Sequence, residues 1–116
     1  MEIRVVKTPI KRQTLVEIAA EEFGDMVKAV VDVERRIMAV GGELHADGEV
    51  SLIEREGSKR EHIWGINLYP EKQSEDWIEF DSMVNIKPAF GNRSRGVENK
   101  VVQQKIEEIV KTLVVD

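Results

Sequence analysis

The chain has 116 residues, no cysteine and a formal net charge of −5, and 41% of its residues are hydrophobic and 34% charged. This length and composition predict one folded domain over residues 1–116 rather than a disordered chain. Without cysteine there are no disulfides and no thiolate ligands for a metal. The acidic balance argues against nucleic acid as a partner.

Motifs for membranes and cofactors are missing from the sequence. No segment comes near the roughly 20 apolar residues that a membrane-spanning helix needs, and the first residues lack the apolar stretch of a signal peptide. We therefore expect a cytoplasmic protein without a membrane partner. There is no Walker loop and no GxSxG motif, so we expect no cofactor.

The first half of the chain alternates between strand and helix patterns. Residues 2–7 predict a short strand, and the helical spacing of apolar residues over 11–23 predicts a helix that ends at Gly24. From residue 26 to residue 33 the spacing of apolar residues changes to two, and a tight turn leads into a similar run over 36–41. This pair predicts a β-hairpin.

Residues 43–57 fit two structures. An Asp-Gly pair at position 47 is typical of a two-residue hairpin turn. Alternatively, Asp47 suits the N-cap of a helix and Gly57 suits its C-cap. The charged end of the segment favours a short helix over residues 47–56, with the hairpin as the alternative.

Two strands and a helix are predicted in the second half. Residues 61–69 predict one strand, and residues 77–87 predict the longest strand, with Trp77 and Met83 on the face opposite Phe80. The last helix begins after Asn99, and its apolar residues form a wide stripe, consisting of Val102, Ile106, Ile109, Val110 and Leu113.

The predicted element order is β-α-β-β-α-β-β-α. It indicates an α+β fold with a mostly antiparallel sheet and helices on one face. The first six elements follow the order of a ferredoxin-like fold, which describes a fold and carries no function.

A basic loop is the first candidate site. From residue 82 to residue 97 the chain contains no acid, although it is acidic elsewhere. Arginine and lysine beside flexible glycines suit a phosphate or carboxylate, so an anionic small molecule is the expected partner. The alternative is that the arginines pair with internal acids. The expected ligand-binding residues are Lys87, Asn92, Arg93, Ser94 and Arg95.

An acidic cluster with one histidine is the second candidate. Adjacent carboxylates can bind a hard divalent cation or raise each other's pKa, and His45 is the best available general base. This reading would make the chain a metal-assisted or acid–base hydrolase, although the cluster predicts no defined metal site. The alternative is a solvated strand face and a structural histidine. The residues are Asp32, His45, Glu79 and Asp81.

The third candidate is a homodimer interface. Trp77 and Met83 share one face of the predicted long strand, where they would leave an apolar patch exposed on a monomer. We therefore expect a second copy to cover this face.

Four segments resemble a family of short prokaryotic proteins that is known only as a domain of unknown function. They are GGELHAD (41–47), WGINLYP (64–70), FDSMVNIKP (80–88) and GNRSRGV (91–97). The resemblance covers nearly the whole chain and implies one compact domain. It implies no catalytic residue, substrate or cofactor.

Overall fold

A computed structural model describes residues 2–116. Its strands and helices, in chain order, are β1 (Arg4–Val6), β2 (Ile10–Lys11), α1 (Arg12–Glu21), β3 (Val27–Asp32), β4 (Ile37–Val40), α2 (His45–Glu56), β5 (Ile63–Leu68), β6 (Ile78–Glu79), α3 (Lys100–Leu113) and β7 (Val114–Val115). Apart from the short strands β2 and β7, this is the predicted order. None of the helices in residues 2–116 combines the length and the apolar character that crossing a membrane requires.

Five strands form the main sheet, in the order β1-β4-β3-β5-β6, and all neighbours in it are antiparallel. At its centre Val31 lies opposite Met38 and Trp64, and these three side chains enter the larger core. The α+β class and the mostly antiparallel sheet are therefore confirmed. Strands β2 and β7 form a separate parallel pair.

The helices cover both faces of the sheet. Leu15 of α1 and Ile106 of α3 belong to the larger core on one face. Leu52 of α2 packs with Val30 and Ile63 in a smaller core on the other. The expectation that all helices share one face is therefore wrong for α2.

The handedness of the connections explains this arrangement. Helix α1 links β1 to β3, and α2 links β4 to β5, so each link moves two positions in the same direction along the sheet. Because β4 runs antiparallel to β1, two links of the same hand must pass over opposite faces. The strong preference for right-handed crossovers therefore places α2 away from α1.

The ambiguous segment forms a helix, as favoured above. Gly57 ends α2 in the left-handed conformation, with φ 70°. Gly48, the glycine that suggested a hairpin turn, instead faces the sheet. A Cβ at this position would lie 2.8 Å from the Cγ2 atom of Val30, so the glycine allows the helix to pack closely on β3.

The predicted long strand over residues 77–87 is wrong. Strand β6 covers Ile78–Glu79 only, and residues 83–85 form a short 3₁₀ turn. The Ser82 hydroxyl accepts the N–H of Val84 and so begins that turn. The Asn85 side chain then donates to the Gly65 carbonyl and accepts the Gly65 N–H, which covers the edge of β5 where a strand would otherwise pair.

Candidate binding groove

A groove of about 450 Å³ opens beside the first turn of α2. Its wall combines polar groups of both charges with apolar side chains. Leu44 and Met83 form an exposed apolar rim. The polar residues of the wall are Lys28, His45, Asn67, Tyr69, Glu79, Asp81, Ser82 and Arg95.

Asn67 lies at the centre of a fixed hydrogen-bond network. Its Nδ2 atom donates to Glu79 Oε1 at 2.9 Å and to the Asp81 carbonyl at 3.3 Å. Both partners can only accept, so the orientation of the amide is set. Tyr69 donates its hydroxyl to the same Glu79 oxygen at 3.3 Å. Burial, and then the nearby Glu79 carboxylate, raise the pKa of Tyr69, which therefore keeps its proton.

The ring of His45 is held by the backbone of β5. Its Nε2 atom lies 2.8 Å from the Ile66 carbonyl oxygen, which can only accept, so Nε2 carries the proton and Nδ1 is left for other partners. Burial lowers the pKa of His45 below 6.5, and the charge of Lys28 lowers it further, although the contacts with Ile66 and Asn67 raise it. The ring is consequently neutral at pH 7.

Arg95 joins the basic loop to the groove. Its Nε atom lies 2.7 Å from Asp81 Oδ1, in an ion pair of two half-exposed side chains. The Arg95 carbonyl accepts the Ser82 N–H at 2.9 Å and the Asn85 side chain at 2.8 Å. These contacts fix the backbone of the loop against the segment after β6.

Three of the four predicted acidic and basic residues come together in this groove, namely His45, Glu79 and Asp81. Asp32 does not join them. It is fully buried at the β3–β4 turn, where its Oδ1 atom accepts the N–H groups of Glu34 and Arg35. Its role is to close that turn. In the part of the chain that the structure describes, no three His, Asp or Glu side chains are grouped so as to hold a metal ion.

Two of the predicted anion ligands point inward. Lys87 is 5% exposed, and its amine donates to the carbonyls of Arg60 and Ile63 and lies 4.2 Å above the Trp64 ring. Asn92 donates to three carbonyl groups of the loop and accepts the Glu98 N–H. These two side chains therefore hold the loop together.

The remaining predicted ligand residues, Arg93, Ser94 and Arg95, are exposed, but the amides of Arg93 and Ser94 are occupied. Glu98 Oε2 accepts the N–H groups of Arg93 and Ser94 at 2.9 and 2.8 Å. These hydrogen bonds lower the pKa of Glu98, and the one from the Arg93 N–H has the largest effect. The carboxylate thus takes the place that an anionic ligand was expected to fill. Of the five predicted ligand residues, Arg95 alone lines the groove.

The two side chains of the predicted dimer face are separated. Trp77 is 7% exposed and packs in the larger core, with the guanidinium of Arg12 at 3.9 Å from its ring. Met83 is 64% exposed. The argument from a shared face therefore fails for Trp77, whereas Met83 remains an exposed apolar group on the groove.

Asn67, Tyr69 and Lys28 were missed as groove residues. All six residues of β5 are buried, and within that run Asn67 is the polar side chain. An amide inside an otherwise apolar strand is a signal that sequence reasoning could have used, because a buried amide needs partners. Lys28 gave no such signal, since alternation alone predicts a polar residue there.

The fold and the groove define an α+β protein built on a mostly antiparallel sheet. Residues 4–113 match the family described as "Protein of unknown function (DUF5674)". The chain therefore belongs to this family, which confirms the resemblance to a family of unknown function. No curated protein and no solved structure matches the chain.

Proposed function

We propose that the chain binds a small anionic molecule in the groove beside His45. The observation that carries this proposal is the meeting of the two cations Arg95 and Lys28 in a single groove of about 450 Å³. That volume lies within the range of small-molecule sites. The site differs from the loop expected from the sequence, since only Arg95 of the loop residues takes part.

The guanidinium of Arg95 is available to a ligand. Asp81 occupies its Nε atom, whereas its terminal nitrogens form no hydrogen bond within residues 2–116 and can donate to a phosphate or carboxylate. The Arg95 side chain is 57% exposed, so a ligand would reach it without unfolding the loop.

The start of α2 adds to the attraction for anions. No side chain caps this helix at Leu44, and its first turn lines the groove at His45 and Ala46. The helix dipole favours negative charge there, although the Asp47 N–H already donates to the Leu44 carbonyl at 3.1 Å. Lys28 contributes a further charge, although its amine already donates to the Glu43 carbonyl.

Binding of inorganic phosphate and of nucleoside monophosphates, measured by isothermal titration calorimetry at low salt, tests the proposal. We expect Arg95→Gln to weaken binding about tenfold or more, because a charge-assisted hydrogen bond contributes about 1.5–3 kcal/mol. Arg93→Gln is the matched control, since Arg93 lies outside the groove, and it should keep most of the affinity.

Three outcomes oppose this expectation. Loss of binding in Arg93→Gln with retention in Arg95→Gln would place the site in the loop. Equal affinity in both variants and the parent would exclude a role for Arg95. Absence of binding to the parent by any of these anions at low salt would overturn the proposal. The melting temperature of each variant shows whether it is folded.

A further inference from the structure

Three polar side chains form a row across the sheet along the groove. Lys28 of β3 lies opposite Asn67 of β5, and Asn67 lies opposite Glu79 of β6. Residues that face each other on adjacent strands have Cβ atoms about 5 Å apart on the same side of the sheet. Val27 and Ile78, beside the two ends of the row, enter the larger core, so the row lies on the α2 side. All three members of the row line the groove.

The charges at the two ends of this row have no counter-ion. Within residues 2–116, neither Lys28 nor Glu79 forms a salt bridge. The Lys28 amine donates to the Glu43 carbonyl at 2.7 Å, at the end of the row remote from Glu79. Glu79 accepts the hydrogen bonds of Asn67 and Tyr69 on Oε1, whereas its Oε2 atom accepts none in the same part of the chain. Glu79 therefore presents a free carboxylate oxygen, which attracts a cationic donor.

Asn67 lies between these charges and has an acceptor without a donor. Its side chain is 7% exposed, and its Oδ1 atom has no hydrogen-bond partner within the described chain. A buried amide oxygen is normally paired. His45 does not supply the donor, because its single ring proton is on Nε2 and is donated to the Ile66 carbonyl. The groove therefore offers two neighbouring acceptors, Asn67 Oδ1 and Glu79 Oε2, to a donor from outside.

Asp81 connects these acceptors to Arg95. Its carbonyl accepts a hydrogen bond from Asn67 Nδ2 at 3.3 Å, and its carboxylate pairs with Arg95 Nε at 2.7 Å. The anion position at Arg95 is thus separated from the acceptors by a single residue, and one small molecule can contact both. Two cations and two carboxylates line the groove, so a ligand with one charge of each sign is more complementary to it than a multiply charged anion.

We infer that the ligand of this groove is a zwitterion, an anion that also carries an ammonium group, as an α-amino acid does. The inference rests on the proposed anion site at Arg95 and names the class of its ligand. The ammonium group donates to Asn67 Oδ1 and Glu79 Oε2, while the anionic group contacts the Arg95 guanidinium. A ligand without the ammonium group leaves the Asn67 acceptor unpaired and is repelled by Glu79. The exposed apolar rim of Leu44 and Met83 suits an apolar side chain of the same molecule.

Isothermal titration calorimetry with three matched compounds tests this inference on the full chain at pH 7 and low salt. Leucine carries both charges and an apolar side chain. Isocaproate is the same molecule without the ammonium group, and isoamylamine is the same molecule without the carboxylate. We expect leucine to bind about tenfold more tightly than either, because each missing group removes a charge-assisted hydrogen bond.

Two substitutions of acidic residues locate the ammonium group. Glu79→Gln should weaken the binding of leucine about tenfold, since it removes the charge that the ammonium group meets. The same variant should bind isocaproate at least as well as the parent does, because a repulsion is lost. Glu108→Gln is the matched control: Glu108 is an exposed acid of α3, at the opposite face of the sheet, and the variant should bind leucine like the parent. Melting temperatures show whether both variants are folded.

The opposing results separate this inference from the anion site itself. If isocaproate binds as tightly as leucine and Arg95→Gln weakens both, the anion site stands and the zwitterion is excluded. If none of the three compounds binds, the zwitterion is likewise excluded, and phosphate binding alone decides on the anion site. If leucine binding is lost in Glu79→Gln but retained in Arg95→Gln, the ammonium position stands and the anion site at Arg95 fails. Leucine binding that is equal in Glu79→Gln and the parent overturns the ammonium position.

Discussion

Several polar residues of this chain serve the backbone rather than a ligand. Asn85 is fully buried, with its amide on both backbone groups of Gly65. Lys87 and Asn92 are likewise buried and donate to carbonyl groups. Leaving a buried carbonyl unpaired costs roughly 1–3 kcal/mol, so Asn85 and Lys87 stabilise the edge of β5 where no strand pairs with it, and Asn92 stabilises the loop.

The unfolding free energy should depend on pH through Lys87. Burial lowers the pKa of this amine from 10.5 to about 8, with Arg60 lowering it further and Glu49 opposing both. Between pH 8 and 10.5 the unfolded chain therefore binds more protons than the folded chain. Stability should rise with pH in this window, by roughly 3 kcal/mol at most, since one pKa unit corresponds to about 1.4 kcal/mol.

Guanidinium denaturation at pH 7.5, 8.5 and 9.5 measures this effect. Relative to Lys87→Met, the parent should gain stability as the pH rises. Lys105→Met, which removes an exposed lysine of α3, should follow the parent. A parent and a Lys87→Met variant with parallel pH profiles would contradict the lowered pKa.

At the scale of elements, the segment after β6 does not pair with β5 as a strand would. It packs closely against β5 instead. Gly65 makes this contact possible, because a Cβ at that position would lie 2.5 Å from the Ser82 side chain and 2.9 Å from Val84 Cγ2. The α2 face of the sheet is therefore covered by one helix and one irregular segment.

Gly65→Ala should destabilise the protein by about 1–3 kcal/mol, which is the usual cost of overpacking. Ser82 is 1% exposed, so it has little room to move. Gly96→Ala is the control, since a Cβ there would meet its nearest atom at 3.5 Å, and its unfolding free energy should change by less. Urea denaturation measures the unfolding free energy of both variants. If the two are equally stable, the segment that contains Ser82 and Val84 moves to accommodate the added methyl group.

The sequence allowed the helices and the central hairpin to be predicted because local patterns determine them. Asn99 caps α3 by accepting the N–H groups of Val101 and Val102, as its position before an apolar stripe indicates. The prediction is wrong for residues 77–87, because their period-two alternation is typical of a strand. There the Asn85 amide takes the partner groups of β5, a tertiary effect that alternation does not reveal.

The groove was only partly predictable. His45, Glu79 and Asp81 are predicted from their chemistry, and they share the site although His45 is far from the other two in the sequence. The inward turn of Lys87 could not be foreseen, because the receiving carbonyls belong to a different part of the chain. Charge alone thus indicated a basic loop, whereas burial decides which of its cations can meet a ligand.

At the scale of the whole molecule, the two ends of the described chain are joined. Ile10 pairs with Val114 and Lys11 with Val115 in the parallel β2–β7 pair. Ile10 and Val114 are buried in the larger core, so this pair ties the start of α1 to the end of α3. Neither strand has the length that makes a strand recognisable in a sequence.

The two residues of β7 offer a matched test of this tie. Val114 is 9% exposed and Val115 is 42% exposed, because successive residues of a strand point to opposite sides. Val114→Ser should lower the unfolding free energy by about 1–3 kcal/mol through loss of apolar burial, whereas Val115→Ser should have little effect. Tryptophan fluorescence and circular dichroism should report the same urea midpoint for Val114→Ser, since the tie joins elements of one core. Equal effects of the two substitutions, or a midpoint that differs between the two signals, would show that β7 is a local attachment.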